Sequence, residues 1–517
     1  MAELLLAIDQ GTTGTKAVLF NGDLQVVGRG FQEIPQIFPQ PGWVEQDPEE
    51  IWRRSLAAVK DCLADAHRRA GVSWQDVAGV GIDNQGETII LWDRLTGRPV
   101  YNAIVWQCRR TAKLCQELAG QGYGEMIAAK TGLVIDPYFS ATKIQWILDN
   151  VPEARELLAG GRLICGTTDT WLVWKFTGGR VVATDVSTAS RTMLFNIHRL
   201  DWDEELLDLF GVSRESLPAV HPTSGYVAEI CPQVWGEGAW ASDAGPLGSP
   251  PALPILALAV DQQAALFGHR CFRAGMAKAT YGTGCFVLMN TGPLPRLSRH
   301  GILTTVAWNL GRGKEPVAYA LDGGVYVAGA AVQWLRDGLG LIRTVEESES
   351  LAWQAQDTGG VYMVPALAGL AAPYWDASAR GTILGLTRGT TREQLVRAVL
   401  EGVAYRVRDV LEAMAADAGF PLTLLTADGG ASRNRFLMQF QADILGLPVE
   451  VAPSQDITAQ GAAMLAGLAL GIWKNPEQLA KSLPAGEVFE PRLSPEQRET
   501  LYAGWKRAVE RSMGWEI

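Results

Sequence analysis

Histidine is scarce in this chain: five residues in 517, scattered and never in His-Glu-x-x-His spacing, which leaves no sign of a protein-ligated zinc site. Any metal would be held by oxygens. Cysteine is almost as sparse, and its seven residues are odd in number and form no Cys-x-x-Cys pair, so the sequence predicts reduced thiols in a cytoplasmic setting. Basic charge is also short. Lys and Arg number 45 against 56 Asp and Glu, a net charge of −11, which argues against a nucleic-acid surface, because phosphate-backbone binding needs clustered cations. Long apolar runs are missing too: PILALAV at 254–260 falls well short of a membrane span. The opening apolar stretch follows no basic region and breaks at Asp9, so secretion is not expected. Finally, there is neither Gly-x-x-x-x-Gly-Lys-[Ser/Thr] nor a Gly-x-Gly-x-x-Gly after a strand, so the usual helix-capped phosphate sites are absent.

What is present is an alternation of strand-like and helix-like segments over a length that calls for two cores, the pattern of an α/β fold. QDPEEIWRRSLAAVKDCLADAHRRAG predicts a helix capped by Asp47, with Pro48 first inside and Glu50 in capping-box register. A second helix is predicted from about Thr391 to a stop at Gly419. DITAQGAAMLAGLALGIW predicts a helix of small residues that admits close backbone approach, and GVGIDNQGETIILWD predicts two strands about a polar turn. The Pro/Gly-rich stretch 235–254 reads as an exposed loop, and a boundary near 270 divides the chain into 1–270 and 271–517.

LLLAIDQGTTGTKAVLF predicts a strand, a glycine–hydroxyl turn and a second strand. GMAKATYGTGCFVLMN repeats this plan, with Gly282-Thr283 standing 271 positions after Gly11-Thr12. Consecutive amides in such a turn make a concave anion site, and two facing turns would grip a polyphosphate. Asp9 at the strand end then gains a role as an acceptor for hydrated Mg²⁺, beside the simpler reading of a carboxylate that caps its own turn. In LTADGGASRNRF, Gly429 and Gly430 would let a flat ring lie on the backbone, and Asn434 could bond a base or ribose edge; an ordinary strand-to-helix connection reads equally well. Asp261, after an apolar strand in AVDQQAALFG, is a candidate general base or a helix N-cap. Glu87, Trp106 and Tyr138 are candidates for a polyol pocket.

The blocks DQGTTGTKAV, PQPGWVEQDPEEIW, NAIVWQCRRTA, TGLVIDPYFSATKIQWILDN, STASRTMLFNIHRLDWD, DQQAALFG and DGGASRNRFLMQFQADILG, taken in order, make the whole chain resemble the FGGY carbohydrate kinases. YFSATKIQWILDN is similar to the family's first signature and ILGLTRGTTREQLVRAVLEGVAY to its second. The resemblance implies two actin-like, ribonuclease H-like α/β domains flanking a deep cleft, phosphoryl transfer from MgATP, and a small polyol as acceptor, glycerol in first place, giving sn-glycerol 3-phosphate. Carried over, Thr12, Thr13, Gly14, Lys16 and Thr283 match phosphate contacts, while Gly329, Gln333, Gly430 and Asn434 match further nucleotide contacts. Asp9 matches the carboxylate near Mg²⁺. Glu87, Trp106, Tyr138, Asp261 and Gln262 match the polyol pocket, with Asp261 as base. A homo-oligomer, dimer or tetramer, is also implied.

Two positions depart from the resembled pattern. Gly86 stands where an arginine is usual in the polyol pocket, which removes guanidinium donors and roughly 1.5–3 kcal/mol of transition-state binding, or leaves room for a longer acceptor. A kinase for another polyol or ketose, such as erythritol, threitol or xylulose, is therefore the alternative; an actin-like ATPase would leave the Glu87, Trp106, Tyr138 and Asp261 set unexplained. Lys16 replaces an arginine-like position with a point charge. The 235–254 loop resembles neither the Gly/Arg loop that binds fructose 1,6-bisphosphate in some bacterial members nor a phosphorelay segment, since it has no histidine.

Overall fold

The hairpin predicted at the start of the chain is present: β1 (Leu4–Gln10) and β2 (Gly14–Phe20) pair antiparallel, with Asp9 opposite Lys16 and Gln10 opposite Thr15. Gly11 N donates to Gly14 O at 3.0 Å to close the turn. Gly14 is required there, because a Cβ would lie 2.5 Å from Gln32 O of β3 (Val26–Glu33). The computed structural model describes residues 3–236, 247, 250–314 and 316–515. Most of the loop expected at 235–254, namely 237–246, 248 and 249, lies outside the described residues.

Helix α1 (Pro48–Ala70) begins and ends where its sequence signals stand. Asp47 accepts from Glu49 N at 2.8 Å, and Gly71, at φ 66°, closes the far end. Glu50 does not turn back to the cap as its register suggests; its carboxylate pairs forward along the helix with Arg53 and Arg54. In this sequence two arginines one turn ahead outcompete a single backbone N–H.

The first sheet is completed by β4 (Val77–Asn84), β5 (Ser224–Glu229) and β6 (Pro254–Val260), in the order β5-β6-β4-β1-β2-β3. β4 runs parallel to both β1 and β6. The second half of GVGIDNQGETIILWD does form a strand, Ile89–Asp93, but in a separate four-stranded sheet, so the polar turn is a crossing between sheets rather than a hairpin. Directly after β6 comes the short helix α2 (Asp261–Gly268).

A second sheet follows from β7 (Met276–Tyr281), β8 (Cys285–Gly292), β9 (Leu303–Asn309) and β10 (Val317–Val325), then helix α3 (Gly329–Asp337), the long helix α4 (Arg392–Ala418), β11 (Leu424–Asp428), helix α5 (Arg435–Leu445), β12 (Val449–Val451), helix α6 (Ile457–Leu470) and β13 (Glu487–Phe489). Its order is β9-β10-β8-β7-β11-β12-β13. Apart from the added strand β9, this repeats the first sheet: a central strand with one antiparallel hairpin partner on one side and two parallel neighbours on the other. The expected α/β class with two sheet-bearing halves is what the structure contains. α4 carries the Thr391–Gln394 capping box and stops at Gly419, φ 76°.

The two faces of the first sheet bury alternate residues of β1, as its period of two requires. Leu4, Leu6 and Ile8 meet α1, while Leu5 and Ala7 meet α6. The small residues of α6 do what their size suggests. A Cβ on Gly461 would lie 1.9 Å from Ala264 O of α2, and one on Gly268 would lie 2.3 Å from Ile457 O, so the two helices touch backbone to backbone. All seven cysteines are free thiols, six of them buried, and among the described residues no helix is long and apolar enough to cross a membrane.

Candidate active site

Three strand ends of the first sheet bring carboxylates together. Asp9 lies opposite Asp83 across the β1–β4 pair, and Asp261 follows β6, the other neighbour of β4. Burial pushes the Asp83 carboxyl well above the usual range, with the charge of Asp9 adding to it, and burial raises Asp9 as well. Both of its oxygens are buried without a hydrogen-bonding partner. Asp83 was not among the residues expected, although the same signal that marks Asp9, a carboxylate ending an apolar strand, is present in GVGID.

Asp261 is the first residue of α2 rather than its cap, and its Oδ1 accepts from Gln262 N at 2.6 Å. Burial, followed by the charges of Glu87 and Asp9, pushes its carboxyl up to about 7, while Lys278 pulls the other way. Lys278, fully buried on β7, reaches across to Gln262 Oε1 and also bonds Thr280 Oγ1 at 3.1 Å. The second half thus places a cation beside the acid of the first.

The polyol candidates meet around Glu87. Arg191 Nε donates to Glu87 Oε1 at 2.8 Å, and Arg191 Nη2 lies 2.9 Å from Asp322 Oδ2 on β10. Tyr138 sits in the same field, its phenol pushed well above its ordinary value by burial and then by Glu87. Its loop is set by Lys143, whose buried ammonium donates to the carbonyls of Pro137, Tyr138 and Phe139 at 3.1, 2.5 and 2.9 Å. The Trp106 ring packs edge-on against Tyr138 at 5.5 Å and against Phe286, just past the second turn, at 6.4 Å. Phe286, Arg191, Lys278 and Asp322 escaped sequence reasoning, because each is a lone residue whose partners come from distant segments.

Gly86 does not leave open room. A Cβ there would stand 3.0 Å from Val260 Cγ1 and 3.4 Å from Arg191 Cγ, so side chains of both residues border this position.

The first turn is wired to this pocket. Trp106 Nε1 donates to Thr12 Oγ1 at 2.8 Å, Gln46 Nε2 donates to Thr12 O at 2.6 Å, and Gln46 Oε1 accepts from Gln85 Nε2 at 2.9 Å. Thr13 is exposed. Lys16 Nζ lies 3.2 Å from Asp456, which also accepts from Arg29. A cavity of about 1270 Å³ lined by Lys16, Arg29, His269, Asp456 and others from both halves adjoins this pair, and the polyol set is not part of its lining.

In the second half, the turn and the start of α3 are one unit: Gly329 N donates to Gly282 O at 2.9 Å, and Ala330 N to Thr283 O at 3.0 Å. Only glycine fits at 329, since a Cβ would lie 2.6 Å from Gly282 O. Gln333 is exposed on the same helix. Gly430 has open space above it, and Gly429 approaches Tyr281 O closely. Asn434 caps α5, accepting from Leu437 N at 2.9 Å, and donates to Ser348 Oγ at 3.1 Å, so its side chain has a structural task.

Among the described residues no cluster of three or more His, Cys, Asp or Glu forms a dedicated metal cage. Mg²⁺ does not need one, as it is commonly held by one or two carboxylates, its own waters and substrate phosphates. The adjacent Asp9 and Asp83, with the unpartnered oxygens of the latter, fit that donor set.

Residues 4–268 match the N-terminal domain of the FGGY family of carbohydrate kinases, and residues 277–470 match its C-terminal domain. The chain belongs to this family. It is 55% identical over 511 residues to a glycerol kinase of Symbiobacterium thermophilum, covering 99% of this chain and 98% of that one. It is 53% identical to glycerol kinase 2 of Thermotoga maritima, covering 99% of each. Its structure is similar to that of Plasmodium falciparum glycerol kinase with ADP, at a TM-score of 0.90 and 33% identity, covering 99% of this chain and 98% of that one.

Proposed function

We propose that this chain transfers the terminal phosphoryl group of ATP to glycerol, giving sn-glycerol 3-phosphate and ADP. The observation that carries the reading is Asp261, a half-buried carboxyl whose proton affinity is raised to about 7 beside Glu87, Tyr138 and Lys278, where it can take the proton of an acceptor hydroxyl. Glu87, Trp106, Tyr138, Gln262 and the backbone at Gly86 surround the acceptor. As Asp261 removes the proton, the hydroxyl oxygen attacks phosphorus in line and the bond to the ADP oxygen breaks. Thr12, Thr13, Gly14, Lys16 and Thr283 offer N–H, hydroxyl and ammonium donors to the phosphates, which neutralises charge in the transition state. Gly329, Gln333, Gly430 and Asn434 form the nucleoside side. Asp9, with Asp83 beside it, would hold Mg²⁺, which supplies charge neutralisation on the phosphates when bound. The division at 270, a deep cleft between the halves that closes to exclude water, a homo-oligomeric state and a cytoplasmic location belong to the same proposal.

A panel of glycerol, erythritol, threitol and xylulose with coupled ADP detection tests it. Glycerol is expected to give the highest kcat/KM; a clear preference for a four- or five-carbon acceptor, or ATP turnover independent of any polyol, overturns it.

The pH profile follows from Asp261. Its folded value lies near 7, so below that pH the carboxyl is protonated and cannot accept a proton. At saturating MgATP, kcat/KM for glycerol is expected to fall about tenfold per pH unit on the acid side of that value. A flat profile from pH 5 to 8 excludes Asp261 as the base.

A further inference from the structure

Arg191 is a buried guanidinium with one nitrogen, Nη1, unused. It follows the short turn Val186–Ala189 and is 2% exposed. Nε is committed to Glu87 and Nη2 to Asp322, while Nη1 is buried and has no hydrogen-bond partner. Its Cζ lies 5.7 Å from the centre of the Tyr138 ring and 5.5 Å from that of Phe139. An unmade donor on a buried cation is costly, so it calls for an explanation in function. Gly86 supplies the second observation. A Cβ at 86 would be tight against the Val260 methyls, at 3.0 and 3.1 Å, and would touch the Arg191 stem at 3.4 Å, so Arg191 runs alongside the position where the resembled pattern has its arginine.

We propose that Arg191 is the specificity-determining cation of the acceptor site, donating Nη1–H to one hydroxyl of the polyol while its Nε holds Glu87 to accept from the neighbouring hydroxyl. This deepens the glycerol reading and rests on it. A guanidinium N–H beside a carboxylate suits a vicinal diol, in which one oxygen accepts and the next donates. The ion pair to Asp322 draws the second half into the arrangement, so the acceptor site is built from both halves.

The test compares Arg191→Met, which keeps much of the stem, and Arg191→Lys, which keeps the charge, with the parent. Steady-state kinetics are run on glycerol and on ATP, with glycerol-induced thermal stabilisation as a readout independent of turnover. Arg191→Met is expected to raise the glycerol KM about tenfold to hundredfold, leave the ATP KM within about twofold, and lose the glycerol-induced shift in Tm. Arg191→Lys is expected to recover part of each. The inference is overturned if the glycerol KM of both variants stays within about twofold of the parent, or if the glycerol and ATP constants rise together, as a purely structural role would give. Failure of the underlying reading shows separately, as a parent enzyme that does not prefer glycerol.

Discussion

Asp261→Asn is expected to fold and to bind both ATP and glycerol, yet to turn over about 10²- to 10⁴-fold more slowly than the parent. Asparagine keeps the shape and can still accept from Gln262 N, but it cannot take a proton. Stability changes in the opposite sense to activity. The folded value of Asp261 is raised from 3.8 to about 7, so its neutral form is favoured in the fold; this contribution is fully present below the unfolded value and is lost as pH rises through 7. At pH 8 the parent therefore buries a disfavoured carboxylate that the variant lacks, and the variant Tm is expected to equal or exceed that of the parent. Calorimetric titration with glycerol and with a nonhydrolysable ATP analogue separates binding from chemistry. A kcat within about threefold of the parent would remove Asp261 from the base role.

Gly461→Val is expected to be the most damaging change away from the chemistry. The new Cβ would lie 1.9 Å from Ala264 O and 2.7 Å from Ala264 C, and the obstruction is backbone, which cannot rotate aside. Overpacking of this kind costs about 3 kcal/mol, corresponding to a fall in Tm of roughly 6–12 °C for domains of this size. Gly120→Ala is the control, since a Cβ at 120 meets nothing within 4 Å. Scanning calorimetry on the two variants decides the matter: a Gly461→Val midpoint equal to that of the control would show that α2 and α6 separate without cost.

Local signals carried far in this sequence. The hairpins, α1 with its cap, α4 with its capping box and the small-residue helix α6 were legible because each is written within one turn or one strand period. Asp9 and Asp261 were legible for a related reason: a charge that ends an apolar run needs an explanation wherever the run is buried. Pairing across distance was not legible. Arg191 sits among small polar residues in VSTASRTM and finds Glu87 104 positions away, and Asp322 comes from the other half of the chain. The same holds for Ile89–Asp93, whose alternation fits a strand but cannot say which sheet it joins. Asn434 carries a task that its sequence context did not announce, since its side chain also caps a helix.

The two sheets share a strand order and a hairpin, but they are not chemically equal. Counting 271 positions on from Asp9 reaches Thr280, so the second copy carries a hydroxyl where the first carries an acid. Folding treats the two frames as near duplicates. A ligand does not, because an evenly furnished pair would offer it two equivalent orientations and this pair offers one. The polarity of the molecule, which end donates and which end receives, is thus written by a side-chain difference laid over a symmetric scaffold.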